Sequence, residues 1–400
     1  MHAYDAVAMA DRRVEREHRV TPLELFFDLV VVFAITQVIQ IMSNELSWHG
    51  LAHGMLVLAA IWWLWTGYAW LTNSLEPEQG IVRAGMFGAM AAMFLVALAV
   101  PRAFGDEGVL FAVAYLVVRL INLGLYGISG RGQPNVRRRL MWFASREMVT
   151  PILILAAAFV HSPWREALWV VALAVVYSDV VVGRGRPATI APSHFAERYG
   201  LIVIIALGES VISLGVAARH VSLSVGIVSA SLLGILVICA LWWSYFDVIA
   251  IMTQRSLSQL SGAIQAQLAR DQYRYIHLPM IAGIVLFALG LKETIEDVAE
   301  PLNTVSAVAL CGGLSLYFLA HVLQRFRFVH FLRHTTSERP GYIGPGRLAA
   351  AVATLALVPA ARELPALASL GLTAGVCCGL IAWDLIHYRE DRAEVRRARP

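Results

Sequence analysis

The run TPLELFFDLVVVF (residues 21–33) opens a long apolar segment and places two carboxylates, Glu24 and Asp28, near its start. A carboxylate inside a membrane-spanning helix is costly unless it faces a partner or water. These two carboxylates are four residues apart, so they share one face of a helix. Two close carboxylates resist simultaneous ionisation, which is typical of a proton or cation site. The alternative is that Thr21 and Glu24 form a capping box that starts the helix at the membrane interface.

A second run, HFAERYGLIVIIALGES (residues 194–210), has the same character. It begins with His194, Glu197 and Arg198, and Glu209 lies well inside its apolar part. If the helix is continuous from residue 194, His194, Arg198 and Glu209 share one face and Glu197 lies beside it. Histidine, glutamate and arginine together can serve proton transfer. The alternatives are an exposed helix start capped by Ser193 and a paired structural role for Glu209.

Apolar segments fill nearly the whole chain. Its 400 residues are 58% hydrophobic with a mean hydropathy of +0.65, whereas soluble domains are closer to half apolar. We therefore predict an all-α polytopic membrane protein with about twelve transmembrane helices. The segments are 22–42, 50–72, 80–100, 107–128, 140–161, 165–183, 199–218, 224–249, 272–291, 303–323, 346–361 and 366–387.

The basic residues are distributed unevenly along these segments. With twelve spans, 24 arginines lie on the side of the two termini, and only Arg102, Arg165, Arg219, Lys292 and Arg362 lie on the other. Cytoplasmic loops carry such an excess, so both termini are predicted to be cytoplasmic and the number of spans to be even. Topology explains the basic charge, so it does not indicate nucleic acid binding. The first 20 residues lack the apolar core of a signal peptide, and the first span is expected to direct insertion.

The two halves of the chain resemble each other weakly. Residues 24–39 align with 197–212, and residues 64–68 resemble 241–245. Six helices per half would give the halves the same orientation, so we predict two parallel six-helix repeats. The predicted division is a cytoplasmic N-terminal segment 1–21, a first six-helix half 22–183, a cytoplasmic linker 184–193, a second six-helix half 194–387 and a basic cytoplasmic tail 388–400.

The fourth segment carries Tyr115, Arg119 and Asn122 on one stripe. Arg119 lies near the middle of the span, where an arginine needs a carboxylate, an aqueous cavity or an anionic substrate. We expect its partner to be Asp28 or Glu209. A purely structural ion pair is the alternative.

Further polar residues lie nearer the ends of the predicted spans. Arg146 and Glu147 could reach the interface or pair with each other, and Asp179 is expected at a cytoplasmic interface. The predicted substrate or proton pathway comprises Glu24, Asp28, Tyr115, Arg119, Asn122, Arg146, Glu147, Asp179, His194, Glu197, Arg198 and Glu209.

Other residue types suggest packing. The tryptophans of 62–70 predict an aromatic belt and packing, with an aromatic substrate pocket as the alternative. The four cysteines lie within predicted spans, so we expect neither a disulfide framework nor a zinc cluster. The chain has no Walker A, HExxH or nucleophile-elbow motif. We predict no cofactor and no metal site.

Both runs resemble the bacterial low temperature requirement A (LtrA) family. The resemblance rests on ELFFDLV (residues 24–30) and on the run 194–210, and it extends over nearly the whole chain. The family usually has a tryptophan where this chain has Pro22. The resemblance implies a multi-pass protein of the bacterial cytoplasmic membrane, linked by the family name to growth in the cold and so to stress adaptation. It implies no settled biochemical activity.

The leading hypothesis from the sequence is a proton-coupled secondary transporter of an unidentified solute. One alternative is a membrane-embedded enzyme acting on a lipophilic substrate, with Asp28, His194, Glu197 and Glu209 as an acid–base or metal constellation. A cation channel and a non-transporting membrane protein also stay open. The expected partners are the lipid bilayer and an unknown small molecule or ion, protons included. Formation of a homo-oligomer stays an alternative, and no nucleic acid partner is expected.

Overall fold

The protein is helical throughout the part that the structure describes. The structure is a computed structural model, and it describes residues 20–75, 77–78, 80–129, 144–178, 190–219, 221–332, 345–389 and 392. Among these residues there is no β-strand, only an isolated bridge between Pro301 and Pro365. The all-α class predicted from the sequence is confirmed.

Fifteen α-helices are present in the described part of the chain. They are α1 (Pro22–Asn44), α2 (Trp48–Thr72), α3 (Gly80–Ala99), α4 (Gly108–Ser129), α5 (Val149–Ala157), α6 (Trp164–Tyr177), α7 (Pro192–Arg219), α8 (Val225–Phe246), α9 (Ile249–Ser258), α10 (Gly262–Ala269), α11 (His277–Glu296), α12 (Thr304–Ala307), α13 (Gly313–Leu332), α14 (Pro345–Ala361) and α15 (Ala366–His387). A π-helical segment, Arg270–Ile276, joins α10 to α11, and a second one, Val308–Gly312, joins α12 to α13.

Nine helical stretches in the described residues are long and apolar enough to cross a membrane. The three other predicted segments hold the shorter helices α5, α6 and α14. An α-helix needs about 20 residues to cross the hydrocarbon core, whereas α14 has 17 and contains Pro359. A polytopic helical architecture is therefore established, while twelve spans and the parallel repeat remain predictions.

Helix α1 shows an arrangement that suits a bilayer. Its carboxylates Glu24 and Asp28 are completely buried, whereas Phe26 is 54% exposed and Leu29 is 59% exposed. In a water-soluble protein the reverse is usual, because charged side chains are mostly exposed and large apolar side chains are mostly buried. In lipid the apolar face contacts the acyl chains and the polar groups face the protein interior.

The sequence at the start of α1 explains where this helix begins. The Thr21 backbone N–H donates to Glu24 Oε2 at 2.9 Å, and the Glu24 backbone N–H donates to Thr21 Oγ1 at 3.3 Å. This reciprocal pattern is a capping box, and it satisfies two N–H groups that have no partner within the helix. The capping box named as the alternative is therefore present, but Glu24 is buried and not exposed. The alternative in which Ser193 caps α7 is wrong, because α7 begins at Pro192.

The chain divides into two compact units. Unit 1 comprises residues 1–41, 53–201 and 260–266, and unit 2 comprises residues 42–52, 202–259 and 267–400. Most of the predicted N-terminal segment, residues 184–189 of the linker and most of the tail lie outside the described residues. The predicted halves 22–183 and 194–387 remain a prediction.

Candidate functional site

Four buried ionisable residues meet in unit 1. Arg198 Nη2 donates to Asp28 Oδ1 at 2.9 Å, and Arg198 Nη1 donates to Glu24 Oε1. His194 Nε2 lies 3.1 and 3.2 Å from the two carboxylate oxygens of Glu24. None of the four side chains is more than 4% exposed. We refer to Glu24, Asp28, His194 and Arg198 as the Arg198 cluster.

The spacing of these residues along their helices explains how they meet. Glu24 and Asp28 are four residues apart on α1, and His194 and Arg198 are four residues apart on α7. Each helix therefore presents its pair on one face. The alternative of an exposed histidine and arginine at the start of α7 is wrong. Glu197, in contrast, lies outside the cluster, and it accepts a hydrogen bond from the Val20 backbone N–H at 3.2 Å.

Helix α2 supports the Arg198 cluster from the side. Trp65 Nε1 donates to Asp28 Oδ1 at 2.8 Å, and Arg198 Nη1 donates to Thr72 Oγ1 at 3.3 Å. Asp28 Oδ2 and His194 Nδ1 are buried and have no hydrogen-bond partner among the described residues. One oxygen and one ring nitrogen of the cluster can therefore accept or hold a proton.

A second buried ion pair lies in the same unit. Arg119 Nη1 lies 3.2 Å from Glu147 Oε2, which also accepts a hydrogen bond from Trp63 Nε1 at 2.9 Å. We refer to Arg119 and Glu147 as the Arg119 pair. The expected partners of Arg119 were Asp28 and Glu209, so Glu147 corrects that prediction. The reason is tertiary: residue 147 precedes α5, and only folding brings it to α2 and α4.

The polar stripe of α4 faces α2. Tyr115 Oη donates to the Ala60 carbonyl at 3.3 Å, and Arg119 Nη2 donates to the Trp63 carbonyl at 3.3 Å. A Cβ atom on Gly67 would lie 2.9 Å from Arg119 Nη1 and 3.3 Å from Asn122 Oδ1. Glycine at this position therefore lets the two helices approach closely.

The remaining predicted residues lie apart from these two centres. Arg146 Nη2 donates to the Val175 carbonyl at 3.1 Å and to Ser178 Oγ at 2.9 Å, so it contacts the end of α6. The alternative in which Arg146 pairs with Glu147 is therefore wrong, because Glu147 pairs with Arg119. Asp179 lies outside the described residues. Glu209 is buried in unit 2, where it accepts a hydrogen bond from Ser213 Oγ at 3.2 Å.

Two residues of the site, Trp63 and Trp65, were not predicted from the sequence. Both are fully buried and donate to a carboxylate, so they pack inside the protein, as one part of the prediction states, and do not form an exposed belt. One signal in the sequence could have indicated a polar role for them: they lie two residues apart on a span that also carries Gly67 and Thr72. Successive positions of a helix point in different directions, so two such indoles can serve two different carboxylates.

Apolar helices long enough to cross a bilayer, together with fully buried ion clusters, define a polytopic helical membrane protein. Within that class, the chain belongs to the bacterial low temperature requirement A protein (LtrA) family, whose model matches residues 19–382. This match confirms the resemblance seen in the two runs.

The chain is also similar to a bacterial protein. The chain is 29% identical over 306 residues to a Rhizobium meliloti (strain 1021) protein described as "Uncharacterized protein RA0937". The alignment covers 74% of this chain and 74% of that protein. The description of the relative names no activity.

Proposed function

We propose that this protein is a proton-coupled secondary transporter of an unidentified solute, and that the Arg198 cluster is its proton-binding site. The observation that supports the proposal is the shared arginine. Two carboxylates, Glu24 and Asp28, contact one guanidinium in a fully buried setting within a candidate span.

The charges of the cluster do not balance by themselves. With both carboxylates ionised, Arg198 charged and His194 neutral, the cluster carries one excess negative charge. An uncompensated charge away from water is costly, so a further positive charge stabilises the cluster. A single proton supplies that charge, and so would a monovalent cation.

Two atoms of the cluster can hold this proton. One is His194 Nδ1, which has no hydrogen-bond partner among the described residues, whereas Nε2 faces Glu24 at 3.1 Å and donates to it in the neutral ring. The other is Asp28 Oδ2, which has no hydrogen-bond partner within the described residues. Proton binding at either atom makes the cluster neutral without breaking the contacts of Arg198.

Proton binding of this kind can drive a conformational change. The protonated cluster is neutral and therefore favours surroundings without water. The deprotonated cluster is charged and favours hydrated surroundings. A ligand shifts a conformational equilibrium only through such a difference in affinity between the states. A proton site of this kind therefore suits alternating access better than a continuous pore.

A rapid pH change applied to a supported membrane containing the purified protein tests the proposal. Protons that move into a buried site displace charge, which is recorded as a transient current. The wild-type protein should give this current. Asp28→Asn and Glu24→Gln each leave one carboxylate opposite Arg198. Such a pair is neutral and needs no further proton, so both variants should lose most of the current.

Glu197→Gln is the matched control, because it removes a carboxylate next to Arg198 that lies outside the cluster, and it should keep the current. Thermal unfolding of each variant confirms that it is folded. If Asp28→Asn and Glu24→Gln retain the full current, the cluster is a structural network and the proposal fails. A current that follows Na⁺ or K⁺ concentration at constant pH would instead favour a cation site.

If the pH-driven current is found, an imposed pH gradient should drive solute accumulation in vesicles. An untargeted comparison of metabolites between vesicles with the wild-type protein and with Asp28→Asn would then identify the solute.

A further inference from the structure

Unit 2 contains a buried histidine that the proton cycle proposed above does not use. His321 on α13 is 1% exposed, and both ring nitrogens lack a hydrogen-bond partner among the described residues. Its ring lies edge-on to that of Tyr317, with the ring centroids 4.4 Å apart. A neutral imidazole always has one N–H donor and one acceptor, and burying either without a partner is costly.

An ion pair lies in the same region. Arg347 Nη1 lies 2.9 Å from Asp384 Oδ2, and Arg347 Nη2 donates to the Ser244 carbonyl at 3.4 Å. Ser244 Oγ in turn contacts Tyr317 Oη at 3.3 Å. Arg347 Nε and Asp384 Oδ1 are buried without a hydrogen-bond partner in the described part of the chain. The ion pair therefore leaves one donor and one acceptor available while its net charge is zero.

The backbone next to this region is irregular. The π-helical segment Arg270–Ile276 is followed by His277, whose Nδ1 lies 2.8 Å from the Gln272 backbone carbonyl. His277 Nε2 lies 2.9 Å from Tyr245 Oη, and the Tyr245 ring is stacked on that of His321 with the centroids 6.3 Å apart. π-helical turns occur often at functional sites. Because both nitrogens of His277 have partners, His321 is the imidazole that remains available.

Two glutamines add acceptors to this region. Gln272 Nε2 donates to the backbone carbonyl of Gln324 at 2.9 Å. Gln324 lies one helical turn from His321. The side-chain carbonyl oxygens of both glutamines are buried without a hydrogen-bond partner among the described residues. Together with Asp384 Oδ1, these oxygens give this region more unpartnered acceptors than donors among the described residues.

From these contacts we infer that unit 2 holds a binding site, centred on His321, for a small uncharged molecule rich in hydroxyl groups. A ligand without charge matches the neutral Arg347–Asp384 pair, since an ion would enter a buried region that offers it no counter-charge. Hydroxyl groups both donate to the excess acceptors and accept from Arg347 Nε. The inference does not depend on the proton cycle, because it involves none of the residues of the Arg198 cluster.

The test uses the full-length protein in detergent and xylitol as the probe. Polyols stabilise any folded protein by exclusion from its surface, and this effect has no saturation. A bound polyol adds a saturable rise in the unfolding temperature. The wild-type protein should show this saturable component, and His321→Phe, which keeps a ring of similar shape, should bind xylitol at least about tenfold more weakly.

His387→Phe is the matched control, since it changes an exposed histidine of the same unit and should behave as wild type. If His321→Phe does not fold, Gln324→Met offers a second variant, of similar length but without the amide, and it should also weaken the saturable component. A purely linear response that is equal in wild type and His321→Phe would overturn the inference. So would a saturable response to ammonium or acetate but not to xylitol.

Two cross-tests separate this inference from the proposed transport. Asp28→Asn should keep the xylitol response, and His321→Phe should keep the current produced by a pH change. A wild-type protein that gives the current but no saturable xylitol response would refute the site in unit 2 and leave the proton site standing. A wild-type protein that shows the saturable xylitol response but gives no current would do the reverse.

Discussion

At the scale of single residues, Arg198 is the centre of the candidate proton site. It contacts Glu24, Asp28 and Thr72, and it is almost completely buried. A buried ion pair gains little net stability over an apolar core, but removal of one partner leaves an unpaired charge behind. The contribution of Arg198 is therefore to make two buried carboxylates tolerable.

Arg198→Met should destabilise the protein by about 3–5 kcal/mol, because it leaves both carboxylates without their guanidinium partner. Thermal unfolding in detergent measures the effect. The additional changes Glu24→Gln and Asp28→Asn remove the unpaired charges, so the triple variant should recover most of the lost stability. An equally unstable triple variant would show that packing of the arginine stem, and not charge, explains the loss.

At the scale of elements, α11 closely approaches both the π-helical segment Val308–Gly312 and the start of α13 in unit 2. A Cβ atom on Gly290 would lie 2.5 Å from Leu310 Cα, and a Cβ atom on Gly283 would lie 2.6 Å from the Gly313 carbonyl oxygen. The obstructing atoms belong to the backbone, so they cannot move away by a change of rotamer. Small residues at such contacts are a common feature of helix packing in membranes.

Gly290→Ala should therefore lower the stability of the protein by about 1–3 kcal/mol, as overpacking of a well-packed interior usually does. The unfolding temperature in detergent measures the change. Gly379→Ala on α15 is the matched control, because a Cβ atom there would meet no atom within 4 Å. Equal unfolding temperatures for the two variants would contradict the close contact.

At the scale of the whole molecule, the number of spans decides the topology. Nine stretches in the described residues meet the length and hydropathy required for a span, an odd number that would place the termini on opposite sides. The distribution of arginines instead favours both termini in the cytoplasm. An even number of spans requires one or all three of α5, α6 and α14 to cross as well. Twelve spans require all three, supplemented by neighbouring residues or by a locally thinner bilayer.

Reporter fusions after Arg102, Arg165 and Arg362 should therefore be extracytoplasmic, and a fusion at the C-terminus should be cytoplasmic. The physical reason is the excess of arginines in the loops assigned to the cytoplasm. Alkaline phosphatase and green fluorescent protein activities report the two locations. An extracytoplasmic C-terminus would refute twelve spans and the parallel repeat together.

The sequence by itself determined the class of protein and indicated which of its charged residues are buried. Long apolar segments predict helices wherever they occur, because only a helix satisfies its own backbone hydrogen bonds in lipid. The spacing of four residues placed Glu24 with Asp28 and His194 with Arg198. Because a charge in an apolar span is costly, these residues and Arg119 stand out in the sequence itself.

Only the tertiary structure decided which of these charges meet. Helical periodicity relates residues within one element, but a pairing between elements depends on how the helices pack. The packing of the helices therefore decides three contacts that the sequence did not predict. Glu147 pairs with Arg119, Trp65 donates to Asp28, and His321 lies beside Tyr317. A tryptophan or a histidine in an apolar segment has the same appearance in the sequence whether it faces lipid or a buried polar group, so its role depended on the fold.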